Sequence, residues 1–193
     1  MIILASGSPR RRKLMEEISS SFMVVIPTVD ESQSFKKYKS VRHIVKDVSY
    51  RKCLEVAKNY PHNLIISADT VVVMDKEIIG KPKDQEEAFN ILKKLSNRHH
   101  YVYTAYTLKK GDILVQNIVK STVYFNSLSD DLIHRYVATS SPMDKAGAYG
   151  LQDNDHFPII KKVVGSPTNV IGFPLEEIKR DLQKYFTTAE DLD

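Results

Sequence analysis

The stretch Leu4-Ala5-Ser6-Gly7-Ser8-Pro9-Arg10-Arg11-Arg12-Lys13 predicts a short strand, a tight turn and the start of a helix. The apolar run that ends at Leu4 favours the strand. Gly7 favours the turn, because glycine adopts backbone conformations that other residues resist. Ser8 is a common N-cap residue and Pro9 suits the first helical position, so we expect the helix to begin at Pro9.

The positive charges at the start of this helix are unusual. Arg10, Arg11, Arg12 and Lys13 fall where the helix dipole is already positive, which is unfavourable by about 0.3–1 kcal/mol for each exposed charge. Together with free backbone N–H groups and two serine hydroxyls, these side chains suit an anion, and phosphate best. The alternative is a basic face that is only solvated, as runs of charge often are.

The composition fits a globular domain. The chain has 193 residues, of which 42% are hydrophobic and 27% are charged. These values fit a single domain over residues 1–193, or one domain with two lobes. The net charge of +4 suits an anionic small molecule as well as nucleic acid.

Cysteine content and hydropathy indicate the compartment. The one cysteine, Cys53, excludes an internal disulfide and a metal site with several cysteines, and it favours a reducing compartment. The polar residues from Ser6 onward argue against a signal peptide. No apolar run reaches the roughly 18–20 residues that cross a membrane. We therefore expect a cytoplasmic protein without a membrane partner.

The remaining hydrophobic pattern predicts a mixture of strands and helices. The predicted strands cover residues 22–26, 64–74, 101–108, 113–125 and 157–164, and the predicted helices cover 41–58, 84–95, 129–137 and 174–186. Residues 32–40 are expected to be polar and mobile, 144–153 an irregular loop, 165–169 a turn, and 190–193 a frayed tail. One hairpin and no regular βαβ alternation predict a mixed α/β fold, with a mixed sheet flanked by helices.

Lys52 lies at an unexpected position in the helix predicted over residues 41–58. Val41, Ile44, Val45 and Val48 define an apolar face, and the helical period places Lys52 in the middle of that face. A lysine that points inward needs an anionic partner from the protein or from a ligand. The alternative is a side chain that snorkels to solvent at the helix end. The sequence leaves both open.

Asp69 stands inside the most apolar run of the chain, residues 64–74. The β-branched residues of this run favour a strand that is buried on both faces. An ionised carboxylate is costly there unless it is paired, hydrogen-bonded or bound to a metal. A structural aspartate at a bulge is the alternative, but buried acids cluster at active sites, which favours a functional Asp69.

These residues together indicate a polyphosphate site. Cations at the first helix, Lys52, and Lys81 in the turn Gly80-Lys81-Pro82 suit phosphate oxygens, whereas Asp69 and the loop residue Glu31 suit a divalent metal or a water. The P-loop, the G-x-G-x-x-G dinucleotide motif, the G-x-S-x-G elbow and H-E-x-x-H are absent from the sequence, which excludes the corresponding enzyme classes.

Several separated motifs resemble, in order, those of the Maf family of nucleoside triphosphate pyrophosphatases. The resemblance covers nearly the whole chain, and its motifs are Ala5-Ser6-Gly7-Ser8-Pro9-Arg10-Arg11, Asp30-Glu31, Lys52, Ala68-Asp69-Thr70, Gly80-Lys81-Pro82, residues 144–152 (DKAGAYGLQ), Lys162 and residues 165–174 (GSPTNVIGFP). One departure is Asn97 in place of a usual glycine, and asparagine also tolerates a left-handed turn.

The resemblance implies a fold, an activity and a set of site residues. The implied fold is an elongated mixed sheet with a central cleft, like that of inosine triphosphatases, often in a homodimer. The implied activity is hydrolysis of nucleoside triphosphates to a monophosphate and pyrophosphate, assisted by a divalent cation such as Mg or Mn, with dTTP and UTP favoured by the GAYG-x-Q loop. Asp69 is the implied catalytic base, and Glu31 and Asp69 the implied metal ligands. The implied substrate-binding residues are Ser6, Ser8, Arg10, Arg11, Lys52, Thr70, Lys81, Gln152 and Lys162, of which Arg10, Thr70 and Gln152 select the base.

Two other functions compete with this one. The first is a related pyrophosphatase that acts on a modified or purine nucleotide. The second is a nucleic-acid-binding module that uses the basic residues of the first helix and the ten tyrosines. The basic residues are dispersed among acidic ones, and a nucleic-acid-binding module would have no role for Asp69 in an apolar strand. We therefore expect no nucleic-acid partner.

Overall fold

The computed structural model describes residues 1–186, so the tail at 190–193 that was expected to fray lies outside the described residues. The strands are β1 (Ile2–Ala5), β2 (Phe22–Val25), β3 (Leu64–Met74), β4 (Glu77–Ile79), β5 (His99–Lys110), β6 (Ile113–Phe125) and β7 (Ile160–Val164). The α-helices are α1 (Pro9–Met15), α2 (Ser32–Lys37), α3 (Val41–Ala57), α4 (Gln85–Leu95), α5 (Asp130–Val137), α6 (Pro167–Ile171) and α7 (Leu175–Phe186).

The described strands form one mixed sheet. Its order is β2-β1-β3-β5-β6-β7, and β4 pairs with β3 outside this path. β1 runs parallel to both β2 and β3, whereas β4 is antiparallel to β3 and β7 is antiparallel to β6. The predicted mixed α/β fold, with a mixed sheet flanked by helices, is therefore confirmed.

The chain divides into two compact units, and each has a core of its own. The first unit contains residues 1–69, 104–119 and the described residues from Ile171 onward, and the second contains residues 70–103 and 120–170. The core of the first unit includes Leu4, Met15, Leu64, Ile66, Phe173, Ile178 and Leu182. The core of the second unit includes Leu92, Leu95, Val102, Val123, Ile133 and Tyr136.

The predicted helix starts are confirmed by their side-chain caps. The Ser8 hydroxyl accepts a hydrogen bond from the backbone N–H of Arg11 at 3.4 Å. Asp84 accepts one from the N–H of Glu87 at 2.7 Å, and Ser129 accepts one from the N–H of Leu132 at 3.2 Å. Each cap satisfies a backbone donor that the first turn of a helix leaves unpaired.

Residues 32–40 are polar as expected, but Ser32–Lys37 form α2, a helix that the sequence did not predict, while their mobility stays a prediction. The reason is a tertiary contact and not an apolar stripe. Ser34 is fully buried, and its hydroxyl donates to Oδ2 of Asp47 at 2.7 Å. Such a contact with a residue of α3 leaves no periodic pattern in a polar segment.

Other short elements also differ from the predictions. The segment expected to be an irregular loop contains the 3-10 helices Ser141–Asp144, Ala146–Ala148 and Leu151–Asp155. The turn at 165–169 leads into α6, where the Ser166 hydroxyl accepts from the N–H of Asn169 at 3.1 Å. The strand β4 was not predicted from the sequence, and β7 is shorter than predicted. Elements of three to five residues are too short for a hydrophobic period to define them.

Candidate active site

The turn after β1 brings two serines and an arginine together in the first unit. Oγ of Ser6 accepts from the backbone N–H of Ser8 at 3.2 Å and from Nη1 of Arg11 at 3.4 Å. Nε of Arg11 donates to the carbonyl oxygen of Gly172 at 2.8 Å. The Arg11 side chain is thus fixed beside the N-terminus of α1.

The four cations at the start of α1 differ in exposure. Arg10 and Arg11 are partly buried, whereas Arg12 and Lys13 are exposed. Burial lowers the pKa of the Arg11 guanidinium, and the negative charge of Asp69 opposes that shift. The exposed Arg12 and Lys13 fit a solvated face, whereas the partly buried Arg11 differs from them, and its role in binding an anion stays a prediction.

Asp69 lies in β3 beyond the point where the neighbouring strand β1 ends. The two strands run parallel with Ala5 opposite Ser67, so Ser6 and Asp69 follow that pair by one and two residues. Only 8% of Asp69 is exposed. The parallel register therefore places the buried carboxylate and the turn before α1 toward the same end of β1.

Lys52 has the anionic partner that an inward position requires. Its Nζ lies 2.9 Å from Oδ1 of Asp69 and 2.7 Å from Oε1 of Glu31. The side chains of Lys52 and Asp69 are 12% and 11% exposed, whereas that of Glu31 is 49% exposed. Lys52 therefore does not snorkel to solvent, and the partner is supplied by the protein itself.

The pKa of Asp69 reflects opposing influences. Burial is the largest and raises the pKa, while the positive charges of Lys52 and Arg11 lower it and the negative charge of Glu31 raises it. The result is a pKa above the ordinary aspartate value. A carboxylate of this kind is a stronger base than an exposed one, provided that neighbouring cations keep it ionised.

Arg51 holds the segment that carries Glu31, and the sequence analysis missed it. Its Nη1 donates to the carbonyl oxygen of Asp30 at 2.8 Å, and its Nη2 donates to Oε1 of Gln33 at 2.9 Å. Nη1 also lies 3.3 Å from Oγ of Ser34. Arg51 thus contacts the chain on both sides of Glu31. No local pattern in the sequence distinguishes Arg51 from an arginine that is only solvated.

Glu31 and Asp69 form a donor set that fits one mode of divalent-metal binding. Their oxygens converge on the single ammonium of Lys52. Within residues 1–186, no three histidine, cysteine, aspartate or glutamate side chains are grouped so that they could hold a metal. Mg²⁺ is commonly held by one or two carboxylates, with substrate phosphates and waters as further ligands, and two carboxylates suffice for that arrangement.

Four of the predicted site residues belong to the second unit. Thr70 is partly buried in β3, Lys81 is exposed after β4, and Gln152 is exposed in the 3-10 helix Leu151–Asp155. Lys162 is exposed in β7, with its Nζ 4.6 Å from the centroid of the Tyr124 ring. Their roles in substrate binding stay predictions.

A backbone contact joins the two glycine-containing segments of the second unit. The N–H of Gly147 donates to the carbonyl oxygen of Gly80 at 3.0 Å, so the turn that carries Lys81 meets the loop that leads to Gln152. Gly147 has a φ of +76°, and a Cβ there would lie 3.0 Å from a methyl carbon of Val72. The backbone conformation and the close approach both favour glycine at this position.

The comparison with protein families identifies the chain. The family model described as Maf-like protein matches residues 1–185. The chain belongs to the Maf family. This membership confirms the resemblance inferred from the separated motifs.

Relatives of this Maf chain align over almost their whole length. A protein from Dictyoglomus turgidum named dTTP/UTP pyrophosphatase is 42% identical, with 95% of each chain covered. Proteins of the same name from Fusobacterium nucleatum and a Geobacillus species are 37% and 39% identical, and 95% of this chain is covered in each case. Among the described residues of this Maf chain, no helix has the length and hydropathy to span a bilayer.

Proposed function

We propose that this Maf chain hydrolyses nucleoside triphosphates to a nucleoside monophosphate and pyrophosphate, with dTTP and UTP as the preferred substrates. The names of its relatives support the substrate class. The observation that carries the chemistry is the buried Asp69 carboxylate, whose Oδ1 lies 2.9 Å from Nζ of Lys52.

Asp69 acts as the general base in this proposal. Its raised pKa increases its affinity for a proton, while the charges of Lys52 and Arg11 favour its ionised form. Asp69 accepts a proton from water as the water oxygen forms a bond to the α-phosphorus. The bond from the α-phosphorus to the bridging oxygen breaks, and the electron pair leaves with pyrophosphate.

The cations of the first unit bind the phosphates. Negative charge is spread over the phosphate oxygens in the transition state. A fixed positive group therefore stabilises the transition state most where that charge develops. Arg11 is held by Gly172 and Ser6, and Ser6, Ser8 and Arg10 lie beside the start of α1. Lys52 adds its ammonium from α3.

A divalent cation, Mg²⁺ or Mn²⁺, is held by Glu31 and Asp69 in the proposal. When bound, it supplies neutralisation of phosphate charge and polarisation of a phosphoryl oxygen. Lys52, which contacts both carboxylates in this structure, would donate to phosphate oxygens with its flexible four-carbon stem. Lys81 and Lys162 contact the remaining phosphate oxygens.

The base is selected by Gln152, Thr70 and Arg10 in the proposal. Gln152 offers both a donor and an acceptor, which suits the edge of a pyrimidine, and Thr70 and Arg10 complete the selection. We propose a homodimer, as the family resemblance implies, and a cytoplasmic location, which the single cysteine favours. Size-exclusion chromatography with light scattering tests the dimer.

The test is a panel of dTTP, UTP, dCTP, dATP and dGTP with Mg²⁺ or Mn²⁺, in which pyrophosphate and orthophosphate are scored separately. We expect pyrophosphate, fastest from dTTP and UTP, and loss of activity after chelation. The Asp69→Asn variant, purified in the same way, controls for contaminating phosphatases. Orthophosphate as the sole product would overturn the proposal, and preference for dATP, dGTP or dCTP would overturn its specificity.

A further inference from the structure

One buried hydroxyl, that of Tyr136, holds both ends of the segment that contains Gln152. Tyr136 lies in α5 and is fully buried. Its oxygen accepts from the backbone N–H of Gly150 at 3.1 Å and donates to Oδ2 of Asp153 at 2.6 Å. Gly150 and Asp153 are the residues on either side of Leu151-Gln152. The position of these two residues is therefore tied to a single side chain of the core.

Further contacts hold the carboxylate of Asp153 in place. Oγ of Ser141 donates to the same Oδ2 atom at 2.8 Å. Nζ of Lys145 donates to Oγ of Ser141 at 3.0 Å and lies 4.0 Å from Oδ2 of Asp153. A Cβ on Gly150 would lie 2.7 Å from Cε of Lys145, so the chain approaches this cluster as closely as glycine permits. The carboxylate of Asp153 is thus held in one position by these contacts.

The ring of Tyr136 is held independently of its hydroxyl. Its centroid lies 5.0 Å from that of Phe157, and the side chain belongs to the core of the second unit. Burial and the neighbouring Asp153 raise the pKa of Tyr136, so the hydroxyl keeps its proton and can donate to the carboxylate. Removal of the oxygen alone should leave the ring in place.

Gln152 depends on this arrangement because its own side chain is exposed. An exposed glutamine has several rotatable bonds, so the direction of its amide is defined only if its backbone is fixed. We propose that Tyr136 is a positioning residue that fixes the backbone of Gln152 and thereby sharpens the choice of nucleobase. This inference rests on the proposed function, in which Gln152 reads the base.

The test compares Tyr136→Phe with wild type by kcat/KM for dTTP and for dCTP. We expect the ratio of the two values to fall by about 3- to 10-fold, the size expected from one lost hydrogen bond. We expect the change mainly in KM for dTTP and not in kcat, because the chemistry at Asp69 is untouched. Hydrogen exchange at the Gly150 amide should become faster in the variant.

Tyr106→Phe is the matched control. Tyr106 is also fully buried, and its hydroxyl donates to Oδ2 of Asp181 at 2.6 Å, but it lies in the first unit. The Tyr106→Phe variant should be less stable than wild type, but its ratio of kcat/KM for dTTP to kcat/KM for dCTP should not change. Asp153→Asn keeps an acceptor for Tyr136 and should retain the ratio, whereas Asp153→Ala should lower it as Tyr136→Phe does.

Gln152→Ala separates failure of this inference from failure of the proposed function. If Gln152→Ala lowers the ratio and Tyr136→Phe does not, the inference is wrong and the proposed function stands. If Gln152→Ala leaves the ratio unchanged, the role of Gln152 is wrong and the inference fails with it. An equal fall in kcat for every nucleotide in Tyr136→Phe also overturns the inference, since it would indicate a general structural effect.

Discussion

Lys52 and Asp69 form a largely desolvated ion pair, in which Nζ lies 2.9 Å from Oδ1 and the two side chains are 12% and 11% exposed. A pair of this kind costs desolvation energy, and removal of Lys52 leaves the buried Asp69 without its ion-pair partner, whereas removal of the Asp69 charge leaves Lys52 paired with Glu31. In the function proposed above, the pair links catalysis to stability in the first unit, and we expect its two members to respond differently to substitution.

Substitution of the lysine should damage both properties. Lys52→Met removes a cation that lowers the pKa of Asp69 and that we propose contacts phosphate, so turnover should fall by at least about 10²-fold. The melting temperature should also fall, because Asp69 and Glu31 lose their shared partner. Pyrophosphate release and thermal unfolding are measured together. Lys58→Met, at the exposed position that follows α3, is the control. Retained activity in Lys52→Met would assign Lys52 a purely structural role.

Substitution of the aspartate should separate the two properties. Asp69→Asn still offers an oxygen to Lys52 but cannot accept a proton from water, so turnover should fall on the order of 10²–10⁴-fold with the fold retained. Turnover of dTTP, nucleotide affinity and melting temperature are measured on one preparation. Asp75→Asn, at an exposed carboxylate after β3, serves as the control. Near wild-type turnover in Asp69→Asn would make Asp69 structural, and Glu31 would be the next candidate for the base.

Arg51 should affect the metal requirement. Arg51→Met removes the hydrogen bonds to Asp30 and Gln33 that hold the segment of Glu31. Because Glu31 is then less well fixed, the Mg²⁺ concentration for half-maximal activity should rise several-fold. A rise of this size corresponds to the loss of about 1 kcal/mol, the net contribution of one hydrogen bond. A Mg²⁺ titration measures the effect, with Arg42→Met on the exposed side of α3 as the control. If the Mg²⁺ titration of Arg51→Met is the same as that of wild type, Arg51 does not influence the proposed metal site.

His100 should make stability depend on pH. Burial, and to a lesser degree the charge of His99, lower its pKa from 6.5 to about 4. Between these values the unfolded chain binds a proton that the native protein does not, so the free energy of unfolding falls as the pH falls through this window. Neutral His100 contributes fully to the free energy of unfolding above pH 6.5, and about 3 kcal/mol of that free energy is lost once the pH has fallen to about 4.

The measurement is denaturant unfolding of wild type and His100→Gln between pH 4 and 7. The variant should show a shallower pH slope, while the control His62→Gln, at an exposed position, should keep the wild-type slope. His100 lies within 2.7 Å of the Tyr149 hydroxyl through Nε2, and its Nδ1 is buried without a hydrogen-bond partner in the described part of the chain. Equal slopes in wild type and His100→Gln would contradict the prediction.

Local signals predicted much of the fold. Ser8 with Pro9 identified the start of α1, and the apolar run containing Asp69 identified β3 with the bounds that the structure has. Asn97 adopts the left-handed conformation that its place in the turn requires, with a φ of +57°. These features depend on residues close in sequence, so a single chain reveals them.

The site was only partly predictable, for a physical reason. The helical period indicated that Lys52 points inward, but it could not identify Asp69 as its partner, since that contact spans 17 residues. Arg51 and Tyr136 act through hydrogen bonds to backbone and side-chain atoms that only tertiary structure brings near. The helix α2 was missed for the same reason, because buried Ser34 and not an apolar stripe holds it.

The division of the first unit into three stretches of chain governs the order in which the protein can fold during synthesis. Its core includes Ala68 beside Asp69, but also Phe173 and Leu182, which the ribosome makes more than a hundred residues later. All residues of the second unit are made before Ile171. The surroundings of Asp69 are therefore completed last, after the whole second unit has been synthesised, and the hydrogen bond from Arg11 to Gly172 cannot form before then.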